Sequence, residues 1–389
     1  MPVGCEKAGV AKDSLNQFMA QFSEGGEFES AGVFTIDVEK AGDKVQRFQL
    51  VDPYLYIAHL VAAASLSGAT SLRFSKTASE ISVSFDGAPY DLTQLDNLSH
   101  GLLASYSGER RVQELAVAVM GARATEPEHL VWESVAPTGV GVRMSYLGDK
   151  RELEEIEFAP TGNRLVLKYP VTWKRIRGRF DTKSPEAEVL KNFCSRAPLR
   201  IYTDLGILNE DEFGPQDFLA WQYLRGTEIH APLRVPSRRT GFCSHDSWQE
   251  PYSALLCLAN PIYSEVHGLT IVLNGVTFRR AKVLGCPYAC GVVFVSHLNK
   301  NLSHTDIVED EPYHRLLDTL RATVDALWKQ FANHNITLPH PLGDRVAAYL
   351  SRRYPMEGRP LDISSYLLRQ ELDKELIASD RGFEYLVEA

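Results

Sequence analysis

At 389 residues the chain is long for a single core and implies two or three domains. Hydrophobic residues are 44% and charged residues 23%, the composition of a soluble globular protein, and a net charge of −9 argues against general nucleic-acid binding, which needs a surplus of Lys and Arg. No apolar run reaches the roughly 18 residues that span a bilayer. The N-terminal MPVGCEKAGVAKDS lacks the apolar segment of a secretory signal. Six scattered cysteines suggest reduced thiols, so the expected location is the cytoplasm, with no membrane partner.

Residues 32–37 and 46–51 are short β-prone runs joined across Ala41-Gly42-Asp43-Lys44, a hairpin signal. Residues 54–67 read as an apolar helix closed by Gly68. SLRFSKTASEISVSF then predicts two strands, with Ser82 and Ser84 alternating against Ile81, Val83 and Phe85. A polar, loop-rich stretch runs from Asp86 to Arg111. VQELAVAVMGA predicts a helix, and strands follow around HLVWES, VGVRMSYL and RLVLKY. Helices and strands alternate without a regular βαβ rhythm, which points to an α+β sandwich of one sheet against helices.

The charged stretch WKRIRGRFDTKSP, residues 173–185, reads as a junction between domains. Ser184-Pro185-Glu186 opens the next helix, with Ser as N-cap, Pro at the first helical position and Glu on the positive helix end. The second domain is expected to hold strands near 199–203, 269–283 and 291–296. A strong helix follows, with Leu316, Leu317, Leu320, Val324, Leu327, Trp328 and Phe331 on one face. The tail, 334–389, is expected to be helical around 343–353 and 364–376 and to fold back over that stripe. The expected domains are 1–172, 186–306 and a helical segment 307–389.

Specific chemistry is sparse. Cys286 and Cys290, with His297 downstream, lack the second closely spaced pair that a structural zinc site needs, so they are read as buried or turn thiols and no metal is expected. There is no P-loop, dinucleotide fingerprint, HExxH or nucleophile elbow.

The segment HLVAAASLSGAT, from His59 to Thr70, resembles the first nucleotide box of the GHKL ATPases, the superfamily of the heat-shock-protein-ninety (HtpG-type) chaperones, MutL and gyrase B. The family's box reads roughly Glu-Leu-Val-x-Asn-x-x-Asp-Ala-Gly-Ala-Thr. Its general base, magnesium ligand and pocket carboxylate recur at i, i+4 and i+7, on one helix face. Here those positions are His59, Ala63 and Leu66. Ala63 offers no oxygen to magnesium. In the second box the matching stretch is Phe85-Asp86-Gly87-Ala88-Pro89. Phe85 stands where the family's Asp reads adenine, and Asp86 is one residue late, which turns it to the other face of a strand unless a bulge intervenes. Around Ser107-Gly108-Glu109-Arg110-Arg111 one Gly remains where the family has several, weakening a backbone cradle for phosphate.

Further partial matches follow the chaperone branch in order over about residues 50–330. They are Trp132-Glu133-Ser134, Gly162-Asn163 before RLVLKY, the helix beginning at Glu188, and Leu298-Asn299-Lys300-Asn301-Leu302-Ser303-His304. In the last of these, His304 stands where the family has an Arg that reaches the γ-phosphate. His59 and His304 are more simply structural, and Leu66 and Phe85 fill a former pocket. The resemblance implies a GHKL (Bergerat-type) sandwich followed by a transducer-like middle domain. It also implies a chaperone-like scaffold that binds a protein partner or client, uses no cofactor and lacks the family's C-terminal dimerisation domain. The alternative is a divergent ATPase that binds ATP and magnesium in a rearranged site using His59, Asp86, and Arg110 or Arg111. A DNA-associated role is a third, less consistent with the acidic balance.

Overall fold

The computed structural model describes residues 52–98, 109–157, 159–171, 184–209, 218–227, 234–236, 242–259, 268–281, 283–285, 289–301, 305–333 and 383–385. The chain divides into two compact units, 1–41 and 42–389, and every described residue lies in the second. The expected hairpin at 32–51 and the tail helices lie outside the described residues.

Asp52 caps the first turn by accepting the Tyr54 N–H (2.9 Å), and Pro53 fixes its φ. The 3-10 turn Pro53–Leu55 leads into helix α1 (Tyr56–Leu66), whose residues 56 to 64 are all buried. A helix apolar on every side must be covered on every side. It ends at Ser67 and Gly68, the latter at φ +71°, as a Gly stop predicts.

Strands β1 (Ser71–Lys76), β2 (Glu80–Phe85), β3 (His129–Val135), β4 (Val140–Leu147), β5 (Lys150–Glu157), β6 (Gly162–Lys168), β7 (Arg200–Thr203) and β8 (Gly206–Ile207) form one sheet in the order β5-β4-β3-β6-β2-β1-β7-β8. All pairs are antiparallel except β1 with β7. In β2 the alternation is as read: Ile81, Val83 and Phe85 point inward and the serines are half-exposed. Short α2 (Leu92–Asp96) and α3 (Arg110–Ala124) follow β2, and α3 packs along α1. α4 (Pro185–Cys194) starts at Ser184, whose Oγ accepts the Ala187 N–H (3.1 Å), and also packs on α1.

A second sheet contains β9 (Phe218–Arg225), β11 (Phe242–Ser247), β12 (Ser253–Ala259), β13 (Gly268–Leu273), β14 (Val276–Arg280) and β15 (Ala289–Val295), in the order β11-β9-β12-β15-β13-β14. Asn274 and Gly275, both at positive φ, make the two-residue turn between β13 and β14. A Cβ on Gly275 would stand 3.1 Å from Val61 Cγ1, so only Gly lets this turn press on α1. Helix α5 (Glu311–Asn333) lies across β9 and β12. A small third sheet pairs β10 (Arg234–Pro236) with β16 (Phe383–Tyr385). The chain is thus mixed α+β, with two mixed sheets. Among the described residues no helix is long and apolar enough to cross a membrane.

Two expectations change. Arg200–Thr203, expected in the second domain, joins the first sheet, because its register beside Ser71–Arg73 buries Ile201 against the shared core. The stripe from Leu316 to Phe331 is buried, with α5 seated on β9 and β12, and apart from Phe383–Tyr385 the tail expected to cover it lies outside the described residues. Phe383–Tyr385, inside the segment expected to be helical, is a strand.

Candidate functional site

The positions that the resemblance assigns to nucleotide chemistry lie on α1 and its neighbours. His59 (3% exposed) and Ala63 (0%) are interior, and Leu66 is half-buried. Nδ1–H of His59 donates to Glu114 Oε2 on α3 at 2.7 Å, and Lys300 Nζ, beyond the end of β15, donates to Glu114 Oε1 at 2.6 Å. The three side chains are nearly fully buried. Burial pushes His59 below its ordinary value, and the Lys300 charge adds to this against the opposing pull of Glu114, so the ring is neutral. Burial alone would raise Glu114. The Lys300 charge and the His59 hydrogen bond overcome it and hold the carboxyl well below the usual carboxylate range. The cluster is therefore a buried Glu–Lys ion pair with a neutral imidazole donating to it.

A carboxylate that orients an imidazole is half of a general-base arrangement. Here Lys300 already pairs with the carboxylate, and the ring is nearly fully buried.

Beside the cluster, Phe85 (4% exposed) points into the core, with its ring 5.9 Å from that of fully buried Trp132. Tyr90 meets the same indole edge-on at 5.7 Å. Burial raises the Tyr90 phenol to about 12. Ser67 Oγ donates to the Ala63 carbonyl (2.7 Å) and lies 3.3 Å from the Tyr90 hydroxyl. Asn163, buried in β6, accepts from Ser134 Oγ (2.7 Å), which itself accepts the Tyr90 N–H (2.6 Å); the Asn163 amide donates to the Ala88 carbonyl (3.4 Å). Aromatic surface and a chain of satisfied polar groups thus occupy the space between α1, β2, β3 and β6.

Asp86 emerges just past β2, and its carboxylate accepts the N–H groups of Thr70 (2.9 Å) and Ser71 (2.8 Å) and the Thr70 hydroxyl. Partial burial raises its value, but these bonds prevail and leave it lowered. Gly87, at φ +110°, crosses α1's end so closely that a Cβ would stand 2.9 Å from the Ser67 carbonyl. The Arg110 guanidinium donates to the carbonyls of Ser296, His297 (3.1 Å) and Leu298 (3.5 Å), clasping the end of β15. Arg111 donates to Glu109 (2.9 Å), the Pro89 carbonyl (3.2 Å) and Gln94 (3.3 Å), and lies over the Tyr90 ring. Asp86, Arg110 and Arg111, the residues of the alternative ATP reading, are all committed to internal partners.

Gly108, His304 and Cys286 lie outside the described residues. Cys290 lies in β15 opposite Cys257 of β12, and both are buried; burial raises the Cys257 thiol well above its ordinary value. Among the described residues no group of three or more His, Cys, Asp or Glu is arranged to hold a metal.

Glu114 and Lys300 complete the buried cluster, and reading the sequence did not single out either side chain. For Glu114 a signal was present: a lone carboxylate inside the apolar run VQELAVAV asks for a buried cation. Lys300 carried none, because its partner is 186 residues away. The sequence matches no family model and no curated protein.

Proposed function

We propose that the chain is a chaperone-like scaffold of the heat-shock-ninety type, a GHKL (Bergerat-type) sandwich joined to a transducer-like middle domain, that works by binding a protein partner and does not hydrolyse ATP. The observation that carries this reading is the His59–Glu114–Lys300 cluster. It occupies the helix face on which the family resemblance places the base and the magnesium ligand. The packed Phe85–Trp132–Tyr90 group supports it, since it fills the neighbouring adenine position with aromatic surface. With nucleotide chemistry displaced, the retained fold offers surfaces rather than a reaction. On this reading the protein needs no cofactor, and its partners are proteins rather than nucleic acid or membrane, in a cytoplasmic setting.

The test is calorimetric titration with Mg-ATP. Loss of the magnesium Asn, the adenine Asp and the phosphate Arg removes three charge-assisted contacts worth about 1.5–3 kcal/mol each. No binding is expected below about 100 μM. Tighter binding would overturn the scaffold reading and favour a divergent ATPase with a rearranged site.

A further inference from the structure

Away from the helices, the register of the first sheet fixes a row of side chains on its outer face. Directly paired strand residues present their side chains on the same face. Ile207 pairs with Tyr202, Tyr202 with Arg73, Arg73 with Ser84 and Ser84 with Arg164, so one row crosses β8, β7, β1, β2 and β6. This face is turned from the core, because the alternate residues Leu72, Phe74, Val83, Phe85 and Leu165 are buried on the other side. None of the five residues in the row is buried.

The middle of the row is cationic, and its hydrogen-bonding capacity is largely unspent. Arg73 is exposed, lies over the Tyr202 ring at 5.7 Å and has no ion-pair or hydrogen-bond partner among the described residues. Stacking on the ring holds its planar fork flat and pre-organised. Arg164 is also exposed; its Nε donates to Ser82 Oγ (3.3 Å), and Glu80 stands 3.9 Å from Nη2. Glu133, which the register sets opposite Arg164, is held instead by Arg143 at 2.8 Å. Ser84, half-buried between the two arginines, has no partner for its hydroxyl among the described residues. The arginines stand two strand steps apart, roughly 10 Å between main chains, so their long side chains can converge over Ser84. On a chain of net charge −9 this strip is a local reversal of sign, which favours an anion.

Shape and spacing say which anion. Two guanidinium forks around a hydroxyl fit the three oxygens of a phosphoryl group, whereas one fork already fills the two oxygens of a carboxylate. At the end of the row Ile207 is 56% exposed and the adjoining Leu205 82%, so apolar surface lies open there. Ile207 is three strand steps from Ser84, about 14 Å, which is the span of four residues of extended chain. Because four is an even number, both of those side chains point to the sheet. We infer that this face is a docking site for a phosphorylated segment of a partner protein, with its phosphoryl group between Arg73 and Arg164 over Ser84 and an apolar side chain four residues away on Ile207. This rests on the scaffold reading and names what its partner carries.

The test is fluorescence polarisation of the full chain with a labelled peptide, Gly-Ile-Thr-Thr-Thr-phosphoserine-Gly. It should bind about tenfold or more tightly than its unphosphorylated form. It should also bind more tightly than a version with the isoleucine moved next to the phosphoserine. Arg73→Ala and Arg164→Ala should each weaken it about tenfold with the circular dichroism melt retained, since both side chains are exposed. Glu80→Gln, which removes the carboxylate beside Arg164, should tighten it. Ile207→Ser should abolish only the preference for where the isoleucine stands. The proposal is overturned if phosphorylation does not raise affinity, if either arginine substitution leaves binding unchanged, or if glutamate in place of phosphoserine binds equally well. It is also overturned if inorganic phosphate, phosphatidic acid vesicles or duplex DNA compete as well as the peptide. Mg-ATP titration of the same samples keeps the readings apart: nucleotide binding that persists in Arg73→Ala sinks the scaffold, whereas phosphopeptide binding indifferent to Arg73→Ala sinks this face alone.

Discussion

The α1 face and the β14 edge handle polar groups in opposite ways. Around His59, charge and hydrogen-bonding capacity are turned inward: Glu114 takes both His59 and Lys300, Asn163 sits in a closed chain with Ser134 and Tyr90, and Asp86 caps Thr70 and Ser71. Along β14, Thr277 is buried, while the Arg279 guanidinium is exposed and has no partner among the described residues. Both regions bear on the same hairpin, since its turn presses on α1 while Arg279 on its outer strand is exposed. The contrast teaches that polarity marks a binding surface only where it is unsatisfied. Buried, paired polarity makes a region specific and rigid instead.

The strongest attempt to break the contrast is to put polar residues of the resembled nucleotide box onto α1. His59→Glu with Ala63→Asn places a second carboxylate beside Glu114 and buries an amide at a fully enclosed position. It should destabilise by about 4 kcal/mol or more in urea titration and give no ATP turnover. Turnover would mean that the helix face is open. Next in size, Glu114→Gln leaves the Lys300 charge buried without its counter-ion and should cost about 3–5 kcal/mol. Adding Lys300→Met should recover much of that loss. A cost under about 1 kcal/mol for Glu114→Gln would show that the cluster does not hold the face shut.

Acid titration gives a smaller, signed effect. His59 is held neutral, so below its ordinary value of 6.5 the unfolded chain binds a proton that the native ring refuses. Stability from this site should fall as pH drops below 6.5, by up to about 1.4 kcal/mol per pH unit, until the lowered native value is reached. Glu114 adds stability that is present above its ordinary 4.5 and is lost only as pH falls toward its depressed native value. His59→Gln, which still offers a donor to Glu114, should flatten the melting-temperature slope just below pH 6.5. An unchanged slope would assign the proton elsewhere. Smallest of all, Arg279→Ala should change stability by less than about 0.5 kcal/mol, since the exposed guanidinium has no described partner. Asp86→Asn, which weakens three accepted bonds, should cost about 1 kcal/mol in the same denaturation assay. Similar losses for both would erase the distinction between a committed and an open polar group.

Much of the first layer was legible in the residues themselves. The apolar run from Tyr56, the alternation in Glu80–Phe85 and the Ser184-Pro185 cap are local signals, and local backbone physics obeys them. Legibility failed where the cause is distant. β5, reading KRELEEIE, is a charged edge strand whose strand character comes from pairing with β4, and β7 looks like the start of a new domain until it pairs with β1. Asn274-Gly275 carried a hairpin signal that the continuous reading of 269–283 as β passed over. The sequence alone determined that His59, Ala63 and Phe85 stand at the positions compared with the nucleotide boxes, because identity at a position needs no coordinates. Only the tertiary structure decided what surrounds them. Glu114 and Lys300 are 186 residues apart. Long-range pairing leaves no trace in the composition or periodicity of either partner, so it becomes visible only once the chain has folded.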